Sequence, residues 1–166
     1  MKTSSHYSIP AQTRIGHVHL KVSDIQRSLD FYCGLLGFEL MTMYGQDAAF
    51  ISAGGYHHHI GLNVWFSKNG PQPLQNATGL FHTAIVYPSR LELARIYARV
   101  KSAGHPFTGA SDHGVSEALY LDDPDGNGVE LYWDRPRDEW PKNEDGSLHM
   151  YTRPLDMHSL LAELRK

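Results

Sequence analysis

The sequence predicts an α+β fold: two tandem βαβββ modules forming a curved, cup-like mixed sheet with helices on its outer face. Three observations carry this. The order strand, helix, three strands occurs twice along the 166 residues. His17 and His82, which open the two halves, stand 65 residues apart, as do the helix openings Asp24 and Ser89. Within each half, apolar spacing switches from alternating to helical and back.

Residues 1–13 read as an N-terminal arm, 14–136 as a single domain (module one 14–66, module two 80–134), and 137–166 as a C-terminal tail with a short helix. IGHVHLKV (15–22) alternates like a half-buried strand. Ser23 or Asp24 caps a helix with Ile25, Leu29, Tyr32, Leu35 and Leu36 at helical spacing, and Gly37 stops it. Strand-like runs follow near 38–44, 47–53 and 57–66, with turns at Gly45 and Gly54-Gly55. After a loop rich in Pro, Asn and Gly (67–79), LFHTAIVY (80–87) restarts the pattern. Pro88 and Ser89 open a helix with Leu93, Ile96, Tyr97 and Val100 on one face, ended by Gly104. Strands near 106–110, 116–122 and 128–133 complete module two. DDPDGNG (122–128) is hairpin chemistry, so Asp122, Asp123 and Asp125 read as turn residues rather than a calcium loop. In the tail, Leu155, Leu160, Leu161 and Leu164 form an apolar stripe. It can dock on the domain, on a partner subunit or over the site.

Composition sets the outer limits. The length suits one domain with a core that needs no disulfide or structural zinc. A net charge of −3 argues against nucleic-acid binding by the chain as a whole. Cys33 is the one cysteine, which excludes an internal disulfide and fits a cytoplasmic location; its apolar neighbours make it buried and inert. The first residues carry no apolar secretory run, and no stretch approaches a membrane span. Eleven histidines are the unusual feature, so their placement decides what they mean.

Strand side chains alternate between faces. Val18, Leu20 and Val22 oppose His17, His19 and Lys21; Ile60, Leu62 and Val64 oppose His57, His59, Gly61 and Asn63. Thr83, Ile85 and Tyr87 oppose His82 and Ala84. Leu119 and Leu121 oppose Tyr120; Val129, Leu131 and Trp133 oppose Glu130 and Tyr132. If the more apolar phases pack on helices, His17, His59, His82, Tyr120 and Glu130 line one cavity. Two imidazoles and one carboxylate with open positions is a donor pattern of non-haem Fe(II) sites. His19 is a rival ligand to His17, but the repeat pairs His17 with His82. Glu130, between Val129 and Leu131, needs a partner. Trp65, Trp133 and Trp140 suit packing better than substrate contact.

GHVHLKVSDIQRSLDFYCGLLGFEL (16–40), GGYHHHIGLNVW (54–65) and EALYLDDPDGNGVELYWDRP (117–136) resemble the vicinal oxygen chelate superfamily of glyoxalases, fosfomycin-resistance proteins and extradiol dioxygenases. The resemblance covers roughly residues 13–136 and is nearest the catechol 2,3-dioxygenase branch. It implies His17, His82 and Glu130 as metal ligands, His59 as acid/base in a paired-His strand, and Tyr120, ten residues before the metal Glu, as a substrate hydrogen-bonder. Gly61 stands where the glyoxalase branch has a fourth, carboxylate ligand. Asp112 and His113 fall near the site as orienting groups. The chain has one paired-module domain where many extradiol enzymes have two, and the gap from its His pair to His82 is longer.

The implied activity is Fe(II)-dependent ring cleavage of a small catechol-like aromatic with O₂, with Mn, Zn, Ni and Co also compatible with the donors. The implied assembly is a homodimer. The competing readings are a metal-dependent isomerase, epimerase or thiol transferase of the same superfamily, and a drug-sequestering binder. The complete His17, His82 and Glu130 set argues against the last.

Overall fold

The computed structural model describes residues 7–74 and 76–166. The first six residues of the expected N-terminal arm lie outside the described residues. Module one contains β1 (Val18–Lys21), α1 (Ile25–Leu29), β2 (Glu39–Tyr44), β3 (Ala48–Ser52) and β4 (Ile60–Asn63). Module two contains β5 (His82–Val86), α2 (Arg90–Ser102), β6 (Gly109–Asp112), β7 (Ser116–Asp122) and β8 (Gly128–Asp134). The tail adds β9 (Arg153–Pro154) and α3 (Met157–Ala162).

Both helices start where the repeat places them. The Asp24 carboxylate accepts from the Arg27 N–H, and the Ser89 hydroxyl from the Glu92 N–H. The first helix differs from its expected form: after Leu29 it widens into a π-type turn over Asp30–Leu35, which puts Phe31 and Tyr32 into the core.

Each module brings its first and last strands together in parallel: β1 beside β4 and β5 beside β8. The helix crossover makes this pairing possible. The sheet orders are β1-β4-β3-β2 and β5-β8-β7-β6-β9. The cup is thus two abutting sheets, with no ladder joining β1 to β5 among the described residues. One core unites them: Leu20, Ile51, Ile60 and Leu62 of module one join Leu93, Val100, Leu119 and Leu131 of module two, with Leu160 of the tail.

The turn after β7 clasps the modules together. Asp123 Oδ1 accepts from the N–H groups of Asp125 and Asn127, as turn chemistry requires. Its other oxygen accepts from the buried Tyr32 hydroxyl at 3.1 Å. Asp125 receives the Ser23 N–H and pairs with Arg27. Arg99 of α2 donates to the carbonyls of Gly34 and Leu35.

The tail docks on module two. β9 pairs with β6, and Leu155 and Leu160 are buried. Arg90 donates to Glu117, Glu163 and the Ser159 carbonyl, while Arg135 bridges Glu117 and Asp112. The Glu117 side chain is 5% exposed between these two guanidiniums. No helix among the described residues is long and apolar enough to cross a membrane.

Removing the shared carboxylate leaves two guanidiniums facing each other with one counter-charge missing. We expect Glu117→Gln to lower unfolding free energy by about 3 kcal/mol, the lower end for a broken buried pair because both arginines are partly exposed. Urea denaturation measures this; a change under half a kilocalorie would mean that the cluster contributes little.

Candidate metal centre

The register of module two builds a polar group around Glu130. In the antiparallel β7–β8 ladder Tyr120 stands opposite Glu130, and its hydroxyl donates to Glu130 Oε1 at 3.1 Å. On the other side β5 runs parallel to β8, with His82 opposite Gly128. A Cβ at Gly128 would lie 2.3 Å from the Phe81 carbonyl oxygen and 3.1 Å from His82 Cβ. Only glycine lets β5 approach this closely. His82 then reaches diagonally, and its Nε2 sits 2.9 Å from Glu130 Oε2. His113, in the turn between β6 and β7, places Nε2 at 2.7 Å from the Tyr120 hydroxyl. Partial burial, reinforced by the Glu130 carboxylate, pushes the Tyr120 phenol up to about 12, so it keeps its proton at neutral pH. A cavity of about 360 Å³ is lined by His82, Tyr120, Thr108, Gly109 and Phe81.

These donors fit a divalent ion. Two ligands at about 2.1 Å from one ion and at right angles stand about 3 Å apart. His82 Nε2 and Glu130 Oε2 have that separation. Among the described residues His82 Nδ1 and Thr83 Oγ1 are buried without a hydrogen-bond partner, and Glu130 is the polar contact the imidazole makes.

His17 stands apart from this pair. Its ring lies against His58, with centroids 4.3 Å apart. Among the described residues no three His, Cys, Asp or Glu side chains gather closely enough to hold an ion. The seam between the sheets explains the separation. One cavity, of about 340 Å³, is lined by residues 15–18 and 83–86. Another, of about 590 Å³, is lined by residues 19–21 and 79–81. The start of β1 thus shares a cavity with the body of β5, and the rest of β1 one with the residues that precede β5.

The expected strand at 57–66 is shorter than its pattern suggested. β4 begins at Ile60, so His57, His58 and His59 precede it and strand phase does not govern them. His58 sits beside His17 and Phe50. His59 packs on Tyr56, its Nδ1 is 2.9 Å from the Ser52 hydroxyl, and it lines the cavity of about 340 Å³ together with His17. His19, the rival ligand, is sandwiched between Phe50 and Trp65. Its ring covers Gly61, where a Cβ would come within 2.9 Å. A carboxylate at position 61 has no room while His19 lies there. Sequence reasoning missed the Gly128 approach, whose signal was a glycine two residues before Glu130 at the start of a strand. Cys33 is half-buried, and burial raises its thiol above the ordinary range. Trp140 packs in the tail, donating to the Arg135 carbonyl.

Fold and site define a class of paired βαβββ proteins with one strand-borne acidic centre. The chain belongs to the Glyoxalase/Bleomycin resistance protein/Dioxygenase superfamily, whose family model matches residues 14–131. It is 39% identical over 160 residues to a catechol-2,3-dioxygenase of Bacillus subtilis (strain 168), covering 94% of this chain and 54% of that one. It is 32% identical over 128 residues to biphenyl-2,3-diol 1,2-dioxygenase 2 of Rhodococcus globerulus, covering 75% and 64%. A lactoylglutathione lyase of Escherichia coli O157:H7 is 26% identical over 71% of this chain and 90% of its own. The chain thus spans between half and two thirds of the dioxygenase relatives' length. A glyoxalase/dioxygenase structure from Nostoc punctiforme shares the fold, with a TM-score of 0.62, 20% identity, and coverage of 80% and 100%.

Burial, then the neighbouring histidines, lowers the pKa of His58; burial, then His17, lowers that of His19. A folded-state pKa below the unfolded one means that the unfolded chain takes up protons first as pH falls. Stability present above a pH of about 6.5 is then lost below it. We expect the urea midpoint of the metal-free protein to fall between about pH 7.5 and pH 5.5, and His58→Gln to flatten the fall. A midpoint unchanged over that range would contradict the imidazole crowding.

Proposed function

We propose that the protein is an extradiol dioxygenase that opens a small catechol-like ring beside its hydroxyls with O₂, using Fe(II) held by His17, His82 and Glu130. The observation that carries this reading is the Glu130 centre: a carboxylate, an imidazole and a protonated phenol in contact on one strand face. When bound, the ion lowers the pKa of a chelated hydroxyl and gives substrate and O₂ a common centre. Tyr120, which keeps its proton, is the hydrogen-bonding group for a substrate oxygen. His59 is the acid/base group by resemblance and lines the cavity that holds His17; His58, against the His17 ring, is a second candidate. The names of the dioxygenase relatives support an aromatic diol substrate. Gly61 beneath the His19 ring weighs against a four-ligand isomerase centre.

The third ligand, we propose, comes from a second copy. β1 and β5 each pair on one side only, and exposed Ile15, Leu80 and Phe81 flank their open edges. A homodimer that covers these edges brings His17 of one subunit to His82 and Glu130 of the other.

Fe(II) is to be added without air, then O₂ uptake and ring-fission absorbance followed on a catechol panel, with Mn, Zn, Ni and Co as controls. Glu130→Ala and His82→Ala should each weaken Fe(II) binding by more than the roughly 10–100-fold cost of an outer-shell change. No uptake with any catechol, despite stoichiometric iron, would move the reading to the isomerase or transferase class. Mixing subunits tests the assembly. His17→Ala and Glu130→Ala chains, each inactive alone, should regain activity when refolded together, because one of the two sites in a mixed dimer is then intact. Persistent inactivity of well-formed mixed dimers would place all three ligands on one chain.

A further inference from the structure

Tyr120 has one proton and two acceptors in reach: His113 Nε2 at 2.7 Å and Glu130 Oε1 at 3.1 Å. Which acceptor receives it depends on the tautomer of His113, because a protonated Nε2 would donate to the phenol oxygen and turn the phenolic proton toward Glu130. The other ring nitrogen is held by the tail. Nδ1 lies 3.1 Å from the Tyr151 carbonyl oxygen and 3.2 Å from the Thr152 hydroxyl. A carbonyl only accepts, so an unprotonated Nδ1 would set two lone pairs against each other.

We propose that the C-terminal strap is a working part of the site: the Tyr151 carbonyl fixes His113 with its proton on Nδ1, and the bare Nε2 then shares the Tyr120 proton with Glu130. In this arrangement Nδ1–H donates to Tyr151, the Tyr120 O–H lies between Nε2 and Glu130 Oε1, and Glu130 keeps more of its negative charge for a cation than if it held that proton alone. His113 is a positioning residue, acting through Tyr120.

The strap is fastened on both sides of this contact. The Tyr151 N–H donates to the His113 carbonyl at 3.3 Å, and β9 pairs with β6 through Asp112 and Arg153. Arg135 holds Asp112 from below, and the Arg153 guanidinium lies over the Tyr151 ring. Close approach depends on Gly114, which has φ +81°; a Cβ there would meet the Tyr151 ring at 2.7 Å and Pro141 at 3.0 Å. The tail after Arg135 thereby orders a side chain two steps from the metal ligands without touching them. Its catalytic consequence rests on the ring-cleavage reading; the proton arrangement does not.

The test uses the full-length, metal-free protein with isotope-labelled histidine. Long-range proton–nitrogen correlation spectra at about pH 8, where an ordinary imidazole is neutral, read the tautomer of each ring. We expect His113 to carry its proton on Nδ1 with Nε2 as a hydrogen-bonded acceptor. A protonated Nε2, or a fast average of both tautomers, overturns the proposal. Thr152→Val should leave the pattern unchanged, since the carbonyl is the determinant, and a switch in that variant also overturns it. Gly114→Ala, which displaces the strap, should give the averaged pattern; a retained Nδ1–H pattern in the folded variant would show that the strap does not set it. In the iron-loaded enzyme His113→Phe should lower kcat by about 10- to 100-fold while KM moves little, and His113→Gln, with an acceptor oxygen near the place of Nε2, should recover part of the loss. If no catechol is cleaved at all, the spectra still decide the proton arrangement.

Discussion

A carboxylate set between two core residues cannot be left alone, and that constraint organises module two. Val129 and Leu131 are buried, so Glu130 can project only onto the opposite face. An unpaired charge there would cost several kcal/mol or take up a proton. The fold answers with two partners: the Tyr120 hydroxyl from the neighbouring strand and the His82 imidazole from across Gly128. Glu117, on β7, meets the same problem differently, between two arginines. Its charge is compensated within the protein, which suits a structural role. Glu130 has no arginine or lysine against it among the described residues, a condition under which a site can attract a cation.

The fold was legible because its signals are local and periodic. Capping residues Asp24 and Ser89, the Asp123 turn and the alternation of 116–122 and 128–133 each prescribe a backbone geometry without distant help. The Glu130–Tyr120 pair was legible for the same reason. Strands joined by a short turn have a register fixed by that turn, so a spacing of ten residues becomes a cross-strand contact. The start of the strand after His59 was not. Strand alternation is informative only within a strand, and β4 starts one residue too late to govern His59. One residue of register moves a side chain to the other face, and His58 takes the position beside His17. The distance between His17 and His82 was equally hidden, because the repeat fixes where each residue sits in its own module, not how far one module slides along the other. The tail's role was hidden because a backbone carbonyl supplies the contact to His113, and carbonyls leave no mark in a sequence.

The two modules repeat a topology and diverge in chemistry. The open face of module one carries imidazole and aromatic rings, His17, His19, Phe50, His58 and Trp65, packed edge against face. Crowding among these imidazoles and partial burial keep His19 and His58 harder to protonate than free histidine. His19 and His58 thus lend that face π surfaces and nitrogen lone pairs. Module two offers a carboxylate, a phenol that holds its proton and the histidine that links the phenol to the tail.

Neither face is sufficient for the chemistry proposed. A ring surface without the carboxylate has weak hold on a cation, and the Glu130 centre without the histidines of module one lacks both a second nitrogen donor and a flat surface for an aromatic ring. Bringing the two faces together supplies each with what the other lacks. The unpaired edges of β1 and β5 mark where that can happen, because a strand edge bordered by exposed apolar side chains is a surface that association buries. Duplication of a module thus has a physical use beyond enlarging the core. It lets one copy keep a charge that the fold must hold in place while the other keeps the rings, and the joint between them becomes the place where cation and aromatic substrate meet.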